Sequence, residues 1–147
     1  MTYIMQLFFG FISTMGFAIL FHVPRKNMII SCLIGGVGWM VYVYLRDEQG
    51  SAILGCFVAA SLVGLFADVF SRVRKEPATV FIIPGIIPLV PGAGMFYTTQ
   101  YLINGEFTQA AEKGTETLLM AGSISVGLMM MGAFFGMYSV IRHKLKN

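Results

Sequence analysis

Residues 79–102 read TVFIIPGIIPLVPGAGMFYTTQYL. The stretch is apolar and exceeds the roughly 20 residues that carry a helix across about 30 Å of hydrocarbon. Its middle holds Pro84, Pro88 and Pro91, with Gly85, Gly92 and Gly94 beside them. Each proline removes a backbone N–H and collides with the carbonyl one turn earlier, which costs roughly 3 kcal/mol in a helix interior. In a bilayer such a break persists only where neighbouring helices or a wet cavity meet the freed polar groups. The segment therefore predicts a discontinuous membrane helix lining a binding site or pathway.

Working outward, the whole chain has the same character. It is 56% apolar and 12% charged over 147 residues, with a mean hydropathy of +0.76. Soluble domains carry about 25% charged residues, so the composition predicts a membrane protein. Five apolar runs cover about residues 3–21, 28–45, 51–70, 79–102 and 117–141. They predict one all-α membrane domain over residues 1–147, with five spans and the fourth interrupted. The runs are continuously apolar rather than alternating, which argues against a β-barrel. The N-terminus lacks a basic region and a small-residue cleavage site, so the first run is expected to stay as a helix.

The charges supply an orientation. Arg25 and Lys26 follow the first run, Arg72, Arg74 and Lys75 follow the third, and Arg142, Lys144 and Lys146 end the chain. Only Arg46 and Lys113 fall on the other side, together with Asp47, Glu48, Glu106, Glu112 and Glu116. The positive-inside rule then places the N-terminus outside and the C-terminus in the cytoplasm, as an odd number of spans requires. The basic residues lie between apolar runs rather than on one polar face, which is not the pattern of a nucleic-acid binder.

The broken helix holds the first candidate site residues. Its prolines would free carbonyls near Val80, Pro84 and Ile87. A second half-helix starting near Gly92 would offer the amides of residues 92–95 and a partial positive end, suited to a carboxylate. Thr98, Thr99, Gln100, Tyr97 and Tyr101 follow within two turns. The substrate path is expected to include Pro84, Gly85, Pro88, Pro91, Gly92, Ala93, Gly94, Met95, Thr98 and Thr99. A kinked structural helix or a re-entrant turn without a ligand is the plain alternative. Asp68, near the end of the third run, is a candidate for ion coupling. Its plainer role is to pair with Arg72 one turn away.

Other features have ordinary explanations. Cys32 and Cys56 sit singly in apolar runs and are expected to pack as small hydrophobes, not as metal ligands or a disulfide. His22 is expected at the interface and His143 in the basic tail. Tyr3, Trp39, Tyr42 and Tyr44 fit an interfacial aromatic belt. Met129, Met130 and Met131 read as flexible filling. Small residues four apart (Ser31 and Gly35, Cys56 and Ala60, Ala60 and Gly64, Ser123 and Gly127, Gly132 and Gly136) predict close helix packing, including a subunit contact. No P-loop, GxSxG or HExxH motif occurs, so neither an enzyme nor a metal or cofactor site is expected.

Two stretches carry a family resemblance. GFAILFHVPRKN at 16–27, followed by CLIGG at 32–36, and PATVFIIPGIIPLVPG at 77–92 resemble the small subunit of bacterial threonine/serine exporters. The likeness extends over essentially the whole chain, with PGIIPLVPG as its most specific part. It also reaches the small subunit of two-component succinate exporters. The resemblance implies a subunit of a gradient-driven exporter of small carboxylate-bearing metabolites in the bacterial inner membrane. It implies a larger partner with its own membrane helices and a cytoplasmic domain. A homo-oligomer, a structural or regulatory subunit that binds no substrate, and a passive channel formed by self-association are the competing expectations.

Overall fold

The computed structural model describes residues 3–144, with side chains to residue 137. The side chains of Arg142, His143, Lys144 and Lys146 lie outside the described residues. The described chain is helical: α1 (Tyr3–Leu20), α2 (Arg25–Gln49), α3 (Ala52–Arg74), α4 (Thr79–Ile86), a single 3-10 turn (Ile87–Leu89), α5 (Gly92–Ile103) and α6 (Phe107–Lys144). Helices α1, α2, α3 and α6 are each long and apolar enough to cross a membrane. The opening segment forms a bent pair, Thr79–Leu89 and Gly92–Ile103, with 46° between its halves.

Several helices outrun the apolar runs that announce them. α2 continues through Arg46, Asp47 and Glu48 to Gln49, where Gly50 closes it in the left-handed conformation at φ 66°. α6 starts at Phe107, ten residues before the expected span, and is 38 residues long. Glu112, Lys113 and Glu116 thus belong to a helix and not to a loop. Ala, Glu, Lys and Gln are good helix formers, so loss of apolar character does not end a helix. At about 1.5 Å per residue α6 reaches some 57 Å, well beyond the hydrocarbon thickness.

The core lies where α2, α3 and α4 meet. Val63, Phe81, Cys56, Ala59, Ala60 and Ala67 are fully buried there, joined by Ile34, Val43 and Leu89. α3 is overlain by α6, and α1 packs on the far side of α2. Both cysteines are buried and free, as expected.

Close helix approach depends on glycine at particular crossings. A Cβ on Gly35 would strike the Thr14 side chain, and one on Gly36 would come within 3.0 Å of the Leu7 carbonyl. Gly127 sits against the Phe57 carbonyl, and a Cβ there would lie 2.8 Å from it. Gly64 meets Met131, which places one of the three consecutive methionines as filler. Of the expected small-residue pairs, Gly35, Gly64 and Gly127 thus stand at helix contacts, and Ser31, Cys56 and Ala60 are fully buried. Gly132 and Gly136 differ: a Cβ on either would have nothing within 4 Å, so neither position depends on glycine for a close helix approach.

Two expected ion-pair and belt assignments change. Among the described residues the contact ion pairs are Lys26–Glu76, Arg46–Asp47 and Lys113–Glu116; Asp68 and Arg72 are not in contact, although Arg72 still acts electrostatically on Asp68. Arg72 instead donates from Nη2 to the Phe135 carbonyl at 3.1 Å and lies over the Phe135 ring. The reach of an arginine lets it cross to α6 and meet a carbonyl and an aromatic face together. Tyr3 and Tyr44 stack edge to face near Glu48, in keeping with a belt. Trp39 and Tyr42 turn inward instead, and Tyr42 is buried.

Gly35→Val is expected to destabilise the purified chain in detergent by about 1–3 kcal/mol, since overpacking displaces Thr14 and α1. Gly132→Leu is expected to leave the same unfolding transition unchanged. Equal effects of the two substitutions would contradict the packing described here.

Candidate functional site

The three prolines divide their segment in sequence order. Pro84 stays inside α4, Pro88 lies within the 3-10 turn, and Pro91 is the residue before α5. Two of the carbonyls expected to be freed have neighbours. The Val80 carbonyl lies 3.4 Å from the Ser31 hydroxyl of α2, and that of Ile87 accepts from the Val90 amide at 3.1 Å. A 3-10 turn and a neighbouring serine are the adjustments by which broken membrane helices satisfy their backbone.

At the start of α5 the Gly92 amide turns back to the Val90 carbonyl at 2.7 Å, and the Met95 amide reaches the Pro91 carbonyl at 3.2 Å. The amides of Ala93 and Gly94 take part in neither turn. Both residues line a cavity of about 370 Å³, as do Pro88, Pro91 and Gly92. The volume is within the roughly 300–1,000 Å³ of small-molecule sites. A Cβ on Gly92 would meet nothing within 4 Å, so the helix entrance stands open.

The remaining walls come from three other helices. The last turns of α2 contribute Trp39, Tyr42 and Arg46, and the first turns of α6 contribute Lys113, Glu116 and Thr117. Arg46 lies over the Tyr42 ring at 5.7 Å and pairs with Asp47 at 2.9 Å. Lys113 Nζ is 2.7 Å from Glu116 Oε2, one turn along α6. The Trp39 indole donates to Gln6 Oε1 at 3.0 Å, which fixes the ring between α1 and the cavity. The cavity therefore offers two cations, one carboxylate, three aromatic side chains (Trp39, Tyr42 and Tyr97) and a helix entrance around one small volume. Such a set can hold a carboxylate at the cations and amides, and an ammonium at Glu116.

The ten path residues named from sequence are not all together. Pro88, Pro91, Gly92, Ala93 and Gly94 line this cavity. Pro84 lines a separate cleft beside His22 and Pro24, and Gly85 is buried against Val63 and Ile34. Met95 points outward at 59% exposure. Thr98 and Thr99 donate their hydroxyls to the Gly94 and Met95 carbonyls, which occupies their protons within α5. The Thr98 methyl meets Gly114, and Thr117 presses on Gly94, so these threonines help fasten α5 to α6. Asp68 is half-buried on α3, away from the lining residues.

Arg46, Lys113 and Glu116 were legible only as markers of orientation. Arg46 on α2 lies 67 and 70 positions before Lys113 and Glu116 on α6, and only packing brings them to the break. The available signal was the scarcity of the cations: on that side Arg46 and Lys113 are the only basic residues.

Comparison with known proteins now adds to this geometry. The family model described as "Threonine/Serine exporter, ThrE" matches residues 6–134. An uncharacterized protein of Haemophilus influenzae is 22% identical over 138 residues, covering 88% of this chain and 46% of that protein. A probable threonine/serine exporter of Mycobacterium tuberculosis is 25% identical over 111 residues, covering 72% of this chain and 21% of that protein. The chain thus spans about half or less of the length of these curated relatives. No solved structure matches. The family match covers most of the chain, including the proline-broken segment and both sides of its cavity, and the chain belongs to the threonine/serine exporter family.

Proposed function

We propose that this chain is a subunit of a secondary transporter that exports small carboxylate-bearing metabolites across the bacterial inner membrane. Threonine and serine are the first candidates, and a dicarboxylate such as succinate is the second. The observation that carries the proposal is the cavity at the broken helix, which Arg46, Lys113, Ala93 and Gly94 line together. Threonine and serine share a carboxylate that suits the cations and amides, and an ammonium that suits Glu116. Succinate would place its second carboxylate near Glu116, a less favourable arrangement.

In this proposal the bent pair is one span, which gives five spans, with the N-terminus outside and the C-terminus in the cytoplasm. The cavity then opens near the outer surface. A larger membrane subunit with a cytoplasmic domain completes the transporter, in keeping with the greater length of the relatives. Asp68 is retained as a candidate for ion coupling. A scaffold subunit without substrate is the second reading, and the exposed position of Gly132 on α6 favours it.

Cells expressing the chain with a larger subunit should release labelled threonine or serine faster than vector cells, and no difference for these or succinate would oppose the proposal. Arg46→Ala with Lys113→Ala should lower the transport efficiency about 10- to 100-fold, from the roughly 1.5–3 kcal/mol of a charge-assisted hydrogen bond. Thr98→Val should leave transport nearly intact, because its hydroxyl serves the helix. If only Gly132→Leu reduced transport, with assembly lost, the scaffold reading would replace this one.

A reporter fused after residue 147 should be active only in its cytoplasmic form. Activity of an exported reporter at that position would reverse the orientation and the side of the cavity.

A further inference from the structure

Asn27, the third residue of α2, is fully buried, and neither Oδ1 nor Nδ2 of its side chain has a hydrogen-bond partner among the described residues. Buried side-chain amides are usually paired, so an open donor and acceptor together call for an explanation. One turn on, the Ser31 hydroxyl lies 3.2 Å from the Asn27 carbonyl and 3.4 Å from that of Val80. Pro84 has no N–H to give Val80 its helical partner. A hydroxyl has one proton, so these two carbonyls share it. The outcome is a buried group rich in acceptors and lacking any charge of its own.

Its position follows a line along α2. Asn27, Ser31, Ile34, Gly38 and Tyr42 are all buried and recur at three- and four-residue spacing, which places them on one face. Polar groups stand at both ends of that face. Between them Gly38 abuts Val63 and Leu89, while Ile34 abuts Gly85, forming an apolar seal. Beyond the seal, Tyr42 leads to the cavity with Arg46. The first half of the broken helix thus packs on this face at Ser31 and Ile34, one turn from the buried Asn27, and the second half borders the open cavity. The bend lies between them, at Val90 and Pro91.

We infer that Asn27, Ser31 and the Val80 carbonyl form a second station on the solute path, covered in this conformation, that receives the ammonium group of an amino acid when α4 moves from α2. Their oxygens accept from the ammonium, while Asn27 Nδ2 donates to the carboxylate of the same solute. The assignment rests on the transport reading given above. It makes α4 the moving cover of one end and leaves the Arg46 cavity as the other.

The test uses the full chain with its larger subunit, in membranes, with Cys32→Ala and Cys56→Ala removing the native thiols. Asn27→Cys is treated with a small hydrophilic thiol reagent from both faces, with and without threonine or succinate. Ala93→Cys reports the open cavity, and Ser31→Cys reports the covered space if Asn27→Cys fails to accumulate. The inference expects slow modification at residue 27 or 31 and fast modification at residue 93. Threonine at about ten times its dissociation constant should slow both roughly tenfold by mass action, and succinate should not protect residue 27 or 31. Protection of residue 93 alone would overturn the inner station and leave the cavity reading standing. Equal protection by succinate at residue 27 or 31 would overturn ammonium recognition. Protection at neither site would remove the transport reading and this inference with it.

Discussion

Backbone hydrogen bonding in a dry environment is the constraint on which this fold depends. A spanning segment with three prolines must find substitutes for lost amides, because lipid offers none. The chain meets the need in three ways: a 3-10 turn at Ile87–Leu89, a serine on α2 opposite Val80, and an open cavity at the start of α5. The first two close the break, and the third leaves it accessible. A structural kink needs only the closing devices. Ala93 and Gly94, which line the same cavity as Arg46 and Lys113, are what connect the break to the proposed function.

Packing then follows from the need to hold two half-helices at 46°. α4 is seated in the main core through Phe81, Gly85 and Val63. α5 has no buried residue and leans on α6 through Thr117 on Gly94 and Thr98 on Gly114. One half is embedded, whereas the other is fastened along one side by small residues. Helix association in lipid relies on such close contacts, since no hydrophobic drive separates helix from lipid. The unequal support makes the bend the natural place for relative movement, with the cavity beside α5 and Ser31 against α4.

Much of the fold was legible in sequence because the membrane imposes length and apolarity together. The runs located every long helix, and the prolines located the break. Helix ends were less legible, as α6 shows: its first turns are polar yet helical, so composition marked where the apolar stretch begins and not where the helix begins. At the site, Pro88, Pro91 and the residues 92–94 could be named from local backbone chemistry. Arg46, Lys113 and Glu116 could not, because their convergence depends on how α2 and α6 cross the break. Trp39 illustrates the same limit: its apolar surroundings predicted a belt, while the hydrogen bond to Gln6 turns it inward.

Trp39 also gives the most direct measurement. It is the only tryptophan in the chain and lines the cavity, so its emission reports on what enters there. The account predicts a saturable change in Trp39 fluorescence when threonine is titrated into the purified chain, lost in the Arg46→Ala and Lys113→Ala double variant. Unchanged emission up to threonine concentrations that sustain export by the same chain with its larger subunit would contradict the claim that the break holds the substrate.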